Sequence, residues 1–158
     1  MSGHHNRLVH VVLDEKTLVR RRPEVEHERQ VAIYDLIEEN SFAPKGSWQG
    51  PFTLHLSMED SRLAFDIRSE DGVPLTKLGI EVKSFYSLVR DYFIVCDTYF
   101  STIKSAPPSK IEAADMARRA LHNEGANLLI NRLKDKIEID FDTARRLFTL
   151  LCVLHIRG

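Results

Sequence analysis

The chain has 158 residues, of which 43% are hydrophobic and 28% charged, and its formal net charge is −1. This length suits one domain, which would bury about 70% of the surface that the unfolded chain exposes. Charges of both signs alternate along the chain, which excludes the broad field that recruits nucleic acid or anionic lipid. We therefore predict one domain over residues 1–158, with 1–6 as a flexible tail and nucleic acid as an unfavoured partner.

The cellular compartment is predicted from three features. Cys96 and Cys152 both lie in apolar runs, which favours free buried thiols in a reducing compartment over a disulfide. The first residues lack the apolar core of a signal peptide, and no apolar run approaches the ~18 residues of a membrane span. The sequence therefore predicts a cytoplasmic protein without a membrane partner.

The first third of the chain predicts one strand and one helix. Arg7–Leu13 is rich in β-branched residues, as strands are. Pro23 suits the first turn of a helix that should run to about Asn40. The apolar face of this helix also contains Arg29, between Val25, Ala32, Ile33 and Leu36. A loop is predicted over 40–50, where Pro44 and two glycines fall.

The middle of the chain predicts an antiparallel hairpin. Apolar and polar residues alternate over 52–57 and again over 62–67, which is the period of a half-solvated strand. A tight turn at Glu59-Asp60 would pair Leu56 with Leu63, and every apolar residue would then lie on one face. Thr53, His55 and Ser57 would face solvent. A third strand is predicted over 75–82.

The rest of the chain predicts three helices. Over 83–105 the apolar residues are spaced as in the seam between packed helices, and we expect this seam to pack against the last helix. Ser109 and Glu112 form a capping-box pattern for a helix that continues to about Leu133. After a short extended segment, Asp140 or Asp142 caps a last helix through His155. Its residues 147–154 are apolar on almost every side, as in a core helix.

Together these elements predict an α+β fold. A small, mainly antiparallel sheet of three or four strands would be covered on one face by about four helices. The hairpin has one apolar face, so the helices should all lie on that side.

The predicted third helix carries the candidate site. At about 100° per residue, Asp115, Arg118 and His122 project along one strip with Ile111 and Leu129. As a site, arginine would hold a phosphate or carboxylate, and His122 would exchange protons near neutral pH. As a structural cluster, Asp115 would pair with an arginine one turn along and join helices. The spacing leaves both interpretations open.

Two further residues, Arg29 and Gly125, are unusual for their positions on the predicted helices. Arg29 could reach a carboxylate such as Asp115, bind a ligand anion, or pack its stem on the core with its head in water. The candidate ligand-binding set is therefore Arg29, Asp115, Arg118 and His122. Gly125 in mid-helix costs ~1 kcal/mol relative to alanine, which predicts close packing against another backbone.

Several phrases of the sequence resemble a known family. They are PEVEHER at Pro23–Arg29, the segment Leu36–Phe42, LHNEG at Leu121–Gly125 and the segment Asp140–Phe148. They resemble an uncharacterised family of short alphaproteobacterial proteins, and the resemblance covers about Leu8 to His155. It implies a bacterial cytoplasmic protein. It supplies no reaction, cofactor, partner or catalytic residue.

Other site chemistries find little support. His4 and His5 are adjacent, but metal-binding His-Glu-x-x-His, Cys-x-x-Cys and calcium-loop patterns are missing, so neither a metal nor a cofactor is predicted. A Gly-x-Ser-x-Gly nucleophile motif and a phosphate-binding glycine loop are also missing. The catalytic residues are unknown, and the sequence favours a protein that is not an enzyme.

Three classes of function remain open. The first is a regulatory or scaffold protein that contacts another protein or itself, and an exposed apolar helix patch would favour it. The second is a binder of, or enzyme acting on, a small anionic ligand, favoured by a cleft lined by the four candidate residues. The third is a nucleic-acid-associated factor that uses Arg20–Arg22, and clustering of this patch with Arg145 and Arg146 would favour it.

Overall fold

The computed structural model describes residues 6–14 and 23–155, except for the side chains of Glu24 and His155. Most of the predicted tail and the whole Arg20–Arg22 patch lie outside the described residues. Asn6 is the residue of that tail that the structure describes, and its backbone carbonyl oxygen accepts a hydrogen bond from the backbone N–H of Phe42 at 2.9 Å.

The described chain contains six strands and four helices. The strands are β1 (Leu8–Asp14), β2 (Phe42–Pro44), β3 (Phe52–Glu59), β4 (Arg62–Ser69), β5 (Pro74–Glu81) and β6 (Ile137–Ile139). The helices are α1 (Pro23–Glu38), α2 (Tyr86–Thr102), α3 (Pro108–Leu133) and α4 (Phe141–His155). A 3-10 turn at Lys83–Phe85 leads into α2.

The main sheet has the strand order β1-β3-β4-β5. β1 pairs with β3 in parallel, and the other pairs are antiparallel. β2 and β6 form a separate antiparallel pair, so part of the predicted loop over 40–50 is a strand. Each of these two strands has three residues, and a sequence pattern of that length does not distinguish a strand from a loop. The predicted α+β fold is confirmed.

The β3–β4 hairpin forms with a register two residues away from the predicted one. Glu59 pairs with Arg62, so the turn lies at Asp60-Ser61, and Leu56 faces Phe65 rather than Leu63. Asp60 adopts a positive φ of 59°, which aspartate tolerates better than most residues. A shift of two residues keeps each side chain on its face, so the buried face is as predicted.

The open face of the sheet is less solvated than alternation predicts. Of the three residues predicted to face solvent, Thr53 and Ser57 are buried and His55 is half-buried. β3 is an inner strand, with β1 on one side and β4 on the other. Short side chains on such a strand lie below the longer side chains of their neighbours, which for Thr53 are His10 and Arg68.

The helices pack as a layer in which α3 contacts both α2 and α4, while α1 contacts α4 and β1. The predicted seam over 83–105 reaches α4 through Phe85 of the 3-10 turn and Tyr92 of α2, whose ring centroids lie 6.4 and 6.0 Å from that of Phe148. The predicted contact between this seam and the last helix is thus present, although α3 is the larger partner of α2. No helix in the described part of the chain combines the length and apolar character of a membrane span.

The two predicted helix caps have different outcomes. Asp140 Oδ1 accepts a hydrogen bond from the backbone N–H of Thr143 at 3.0 Å, as a cap of α4 should. The prediction of a capping box at Ser109 and Glu112 is wrong, because α3 begins at Pro108 and no side chain caps it. The prolines set the start of the helix instead, since proline suits its first turn.

Gly125 lies where α3 and α4 approach each other. A Cβ atom at this position would be 2.4 Å from Cγ of Phe148. Gly125 is closely packed as predicted, but its partner is the aromatic side chain of Phe148 on α4 rather than the backbone of another element. The position of the candidate strip relative to α4 depends on this contact.

Gly125→Ala should lower the free energy of unfolding by about 1–3 kcal/mol, because overpacking against Phe148 outweighs the gain in helix propensity. The measurement is urea denaturation of both single variants and the double variant Gly125→Ala/Phe148→Leu. The double variant should be at least ~1 kcal/mol more stable than the sum of the two single effects predicts. Strictly additive losses would contradict this packing.

Candidate functional site

The strip predicted on α3 lies at the junction of all four helices. His122 is buried with 7% of its surface exposed, and Asp115 and Arg118 are half-buried. Three of the four candidate residues are thus brought together on one helix face. Arg29 lies on α1, where its Nη1 is 3.4 Å from Oε2 of Glu26.

Arg118 forms ion pairs in two directions. Its Nη2 lies 3.1 Å from Oδ1 of Asp115 on the same helix, and its Nη1 lies 3.6 Å from Oε1 of Glu28 on α1. The guanidinium carbon is also 4.9 Å from the ring centroid of Tyr99 on α2, a cation–π distance. Burial alone would lower the pKa of Arg118, but Glu28 and Asp115 raise it above its ordinary value. Arg118 therefore stays charged.

Glu28 joins α1 and α2 to Arg118 on α3. Its side chain is 14% exposed, and its Oε1 accepts a hydrogen bond from the hydroxyl of Tyr92 on α2 at 2.8 Å. Burial raises the pKa of Tyr92 well above its usual value, so the phenol remains a donor. One carboxylate of α1 thus binds a phenol of α2 and an arginine of α3.

His122 has both ring nitrogens occupied. Nδ1 lies 3.1 Å from the backbone carbonyl oxygen of Arg118, and Nε2 lies 3.1 Å from the hydroxyl of Thr149 on α4. A carbonyl can only accept, so Nδ1 carries the proton and donates. In the neutral imidazole Nε2 then accepts from the Thr149 hydroxyl, which gives its single proton to Nε2 at 3.1 Å rather than to the Arg145 carbonyl oxygen at 3.3 Å. The ring is fixed between α3 and α4 in a single tautomer.

The charge state of His122 follows from its surroundings. Burial is the largest cause and the Arg118 guanidinium the next, and together they lower the pKa of His122 to about 4. The imidazole is therefore neutral near pH 7. The proton exchange at neutral pH that the sequence suggested does not fit this environment.

A cleft opens beside this cluster, between α1, α3 and α4. It consists of two adjoining cavities that share Arg118, His122 and Arg145. The cavity called here the arginine end has a volume of about 440 Å³ and is completed by Arg119 and Asn123. The other, the α1 end, has a volume of about 290 Å³. Its remaining lining residues are Glu28, Val31, Ala32, Asp35, Arg146 and Thr149.

Two arginines of the cleft, Arg119 and Arg145, keep hydrogen-bond donors free beyond their protein contacts, whereas both terminal nitrogens of Arg118 are already in ion pairs. Arg119 is held through Nε, 2.9 Å from Asp115 Oδ2, and Arg145 through Nη1, 3.5 Å from Asp142 Oδ1. Each guanidinium has five N–H donors, so most remain available. Nε of Arg118 and Nε of Arg145 are buried and have no hydrogen-bond partner among the described residues.

Arg29 and Asp115 lie outside the lining of the cleft. Asp115 instead contacts both Arg118 and Arg119 with its two oxygens, so it fixes the orientation of two cleft arginines. The structure therefore separates Arg29 from the cleft and places Asp115 behind it.

Sequence reasoning missed Glu28, Tyr92, Asn123, Thr149 and Asp35. Glu28 had a local signal, because it lies three residues after Val25 and four before Ala32, on the buried face of α1. Its neighbours Glu24 and Glu26 made it look like one of several first-turn acids. Asn123, Asp35 and Thr149 carried no such signal, because only helix packing brings them together.

The described residues offer neither a metal site nor a reactive thiol. Over 6–14 and 23–155, no three His, Cys, Asp or Glu side chains are placed to hold a metal ion. Both cysteines are free and buried. Burial raises the pKa of Cys96 to about 11 and that of Cys152 well above its ordinary value. Both thiols stay protonated near neutral pH, which makes them poor nucleophiles.

Comparison with known proteins gives a family without an assigned activity. The model of an uncharacterised protein family, UPF0262, matches residues 5–157, so the chain belongs to this family. A UPF0262 protein of Paramagnetospirillum magneticum is 58% identical over 98% of this chain and 99% of the relative. One of Rhodospirillum rubrum is 57% identical over 96% and 93%, respectively. No solved structure matches.

The low pKa of His122 makes stability depend on pH. Between about pH 6.5 and pH 4 the unfolded chain binds a proton at this residue that the folded chain does not, so acid favours unfolding. His122 should therefore contribute a loss of about 2 kcal/mol in unfolding free energy between pH 7.5 and pH 5. Urea denaturation at these two pH values should show a smaller loss for His122→Gln than for the wild type. Equal losses would contradict the assignment.

Proposed function

We propose that this member of the uncharacterised family binds a small anionic ligand, bearing a phosphate or a carboxylate, in the cleft between α1, α3 and α4. One observation carries the proposal. Arg118, Arg119 and Arg145 line the same cavity of about 440 Å³, whose lining contains no carboxylate among the described residues. A concave site with a few convergent polar groups is the usual form of a ligand pocket.

The chemistry of arginine supports an anion as the ligand. A guanidinium presents donors in a planar fork that matches two oxygens of a phosphate or carboxylate. Arg119 is 69% exposed and Arg145 36% exposed, so both can turn toward a ligand at low cost. Asn123, which lines the same cavity, can donate a further hydrogen bond through its amide.

Other residues of the predicted set take supporting roles in this proposal. Asp115 positions Arg118 and Arg119, and His122 fixes the floor of the cleft by joining α3 to Thr149 on α4. We assign no contact with the ligand to Arg29, which pairs with Glu26 and does not line the cleft.

The geometry favours binding without conversion of the ligand. His122, the titratable group at the floor, is neutral and has both ring nitrogens engaged. General acid–base catalysis would need one of these nitrogens free and a pKa closer to neutral. The protonated buried thiols suit a reducing compartment, so we place this binding in the cytoplasm.

Arg119→Gln and Arg145→Gln should each weaken binding of inorganic phosphate at least tenfold, because each removes a charged donor from the cavity. The measurement is isothermal titration calorimetry at low ionic strength, since salt screens exposed charges. Arg90→Gln, which changes an exposed arginine on α2, is the matched control and should bind as the wild type does. Arg29→Gln should also leave binding unchanged.

A second candidate is a regulatory or scaffold protein that acts through contacts with other proteins. It is favoured by large apolar side chains that are exposed on three of the helices, among them Tyr34 on α1, Ile94 on α2 and Met116 on α3. The ion pairs of Arg118 and the hydrogen bonds of His122 would then serve only to join the helices of this chain. The nucleic-acid class depends on Arg20–Arg22, which lie outside the described residues, so their clustering with Arg145 and Arg146 stays a prediction.

The response of Arg118→Met to anions separates the first two candidates. Its loss of stability does not, because under both the variant should lose ~1–4 kcal/mol of unfolding free energy by leaving Glu28 in a low-dielectric site without its arginine. Thermal denaturation with and without phosphate or succinate distinguishes them. We expect these anions to raise the melting temperature of the wild type and not that of Arg118→Met. Anions without effect on the wild type would favour the scaffold.

A further inference from the structure

The two ends of the cleft differ in the charges that they present. The arginine end has three arginines and no carboxylate in the lining that the described residues form. The α1 end adds two carboxylates, Glu28 and Asp35, together with Arg146. A ligand that occupied both ends would therefore meet cations at one end and a mixture of acceptors and cations at the other.

Asp35 is the available acceptor at the α1 end. Glu28 is already bound by Tyr92 and Arg118. Asp35 is half-buried, and no hydrogen bond or ion pair joins its carboxylate to another described residue. An ionised carboxylate has about four sites that accept hydrogen bonds, enough for two neighbouring donors on a ligand.

The charges around Asp35 restrict what those donors can be. A second anionic group beside Asp35 would meet the negative charge of its unpaired carboxylate. An ammonium group would meet the guanidinium groups of Arg145 and Arg146, which line the same end. Uncharged donors avoid both repulsions, and the hydroxyl groups of a sugar are uncharged donors that carboxylates are known to bind. Val31 and Ala32 supply an apolar wall for the carbon frame of such a ligand.

We propose that the ligand is a sugar phosphate, whose phosphate lies at the arginine end and whose hydroxyl groups donate to Asp35. This inference rests on the proposed anion binding and names the class of anion. The volumes of the two ends, about 440 and 290 Å³, are large enough for a monosaccharide phosphate. In this arrangement the arginines provide most of the affinity, and Asp35 provides the selection for hydroxyl groups.

The test compares ribose 5-phosphate, inorganic phosphate and ribose by isothermal titration calorimetry. Wild-type protein should bind ribose 5-phosphate at least tenfold more tightly than inorganic phosphate, and ribose more weakly than either. Asp35→Asn should weaken the binding of ribose 5-phosphate at least tenfold, because it removes an acceptor. It should leave the affinity for inorganic phosphate unchanged or raise it, because it also removes a negative charge. Asp71→Asn, an exposed change in the β4–β5 turn, is the matched control and should alter neither affinity.

The outcomes separate this inference from the proposed function. Equal affinities of the wild type for ribose 5-phosphate and inorganic phosphate would overturn the sugar-phosphate inference and leave anion binding intact. Equal weakening of both ligands by Asp35→Asn would also overturn it, because the aspartate would then act on the phosphate and not on the hydroxyl groups. No binding of either phosphate would overturn both proposals.

Discussion

The helical layer depends on the contacts of one carboxylate, that of Glu28. Its Oε1 atom lies 2.8 Å from the hydroxyl of Tyr92 and 3.6 Å from Nη1 of Arg118, so it connects three helices. A buried pair of this kind adds modest net stability, because desolvation offsets much of the Coulomb attraction. Its main effect is on geometry. An apolar layer of four helices tolerates small sliding motions, whereas a charged group that must be paired allows one arrangement.

The cleft is a consequence of that arrangement. Arg118 is held on one side by Asp115 and on the other by Glu28, so its position relative to Arg145 on α4 depends on where α1 sits. The hydrogen bond from Thr149 to His122 fixes α4 against α3 in the same region. Supporting interactions of this type are what keep binding groups oriented before a ligand arrives, and they reduce the entropy lost on binding.

The sequence predicted features that depend on local spacing and missed those that depend on packing. Asp115, Arg118 and His122 share a face because the second and third lie three and seven residues after the first on one helix. Gly125 could be interpreted from its own helix as well. The hairpin face was predictable but its register was not, because a shift of two residues leaves the alternation unchanged.

The cleft itself could not be predicted from the sequence. Asp35, Asn123 and Arg145 come from three different helices, and none of them interrupts an apolar pattern. Arg29 was the reverse case, since it does interrupt such a pattern but pairs along its own helix with Glu26. A polar residue on an apolar face indicates that a partner exists, and the pattern alone does not identify that partner.

The sequence separation of the polar contacts has a consequence for synthesis of the protein. Glu28 and Tyr92 are 64 residues apart. At ribosomal rates of about 5–20 residues per second, α1 leaves the ribosome roughly 3–13 s before the hydroxyl that binds its carboxylate. β1 likewise waits for β3, its parallel partner in the sheet. The nascent chain therefore carries α1 with its apolar face uncovered for seconds, a period in which chaperones have time to bind it.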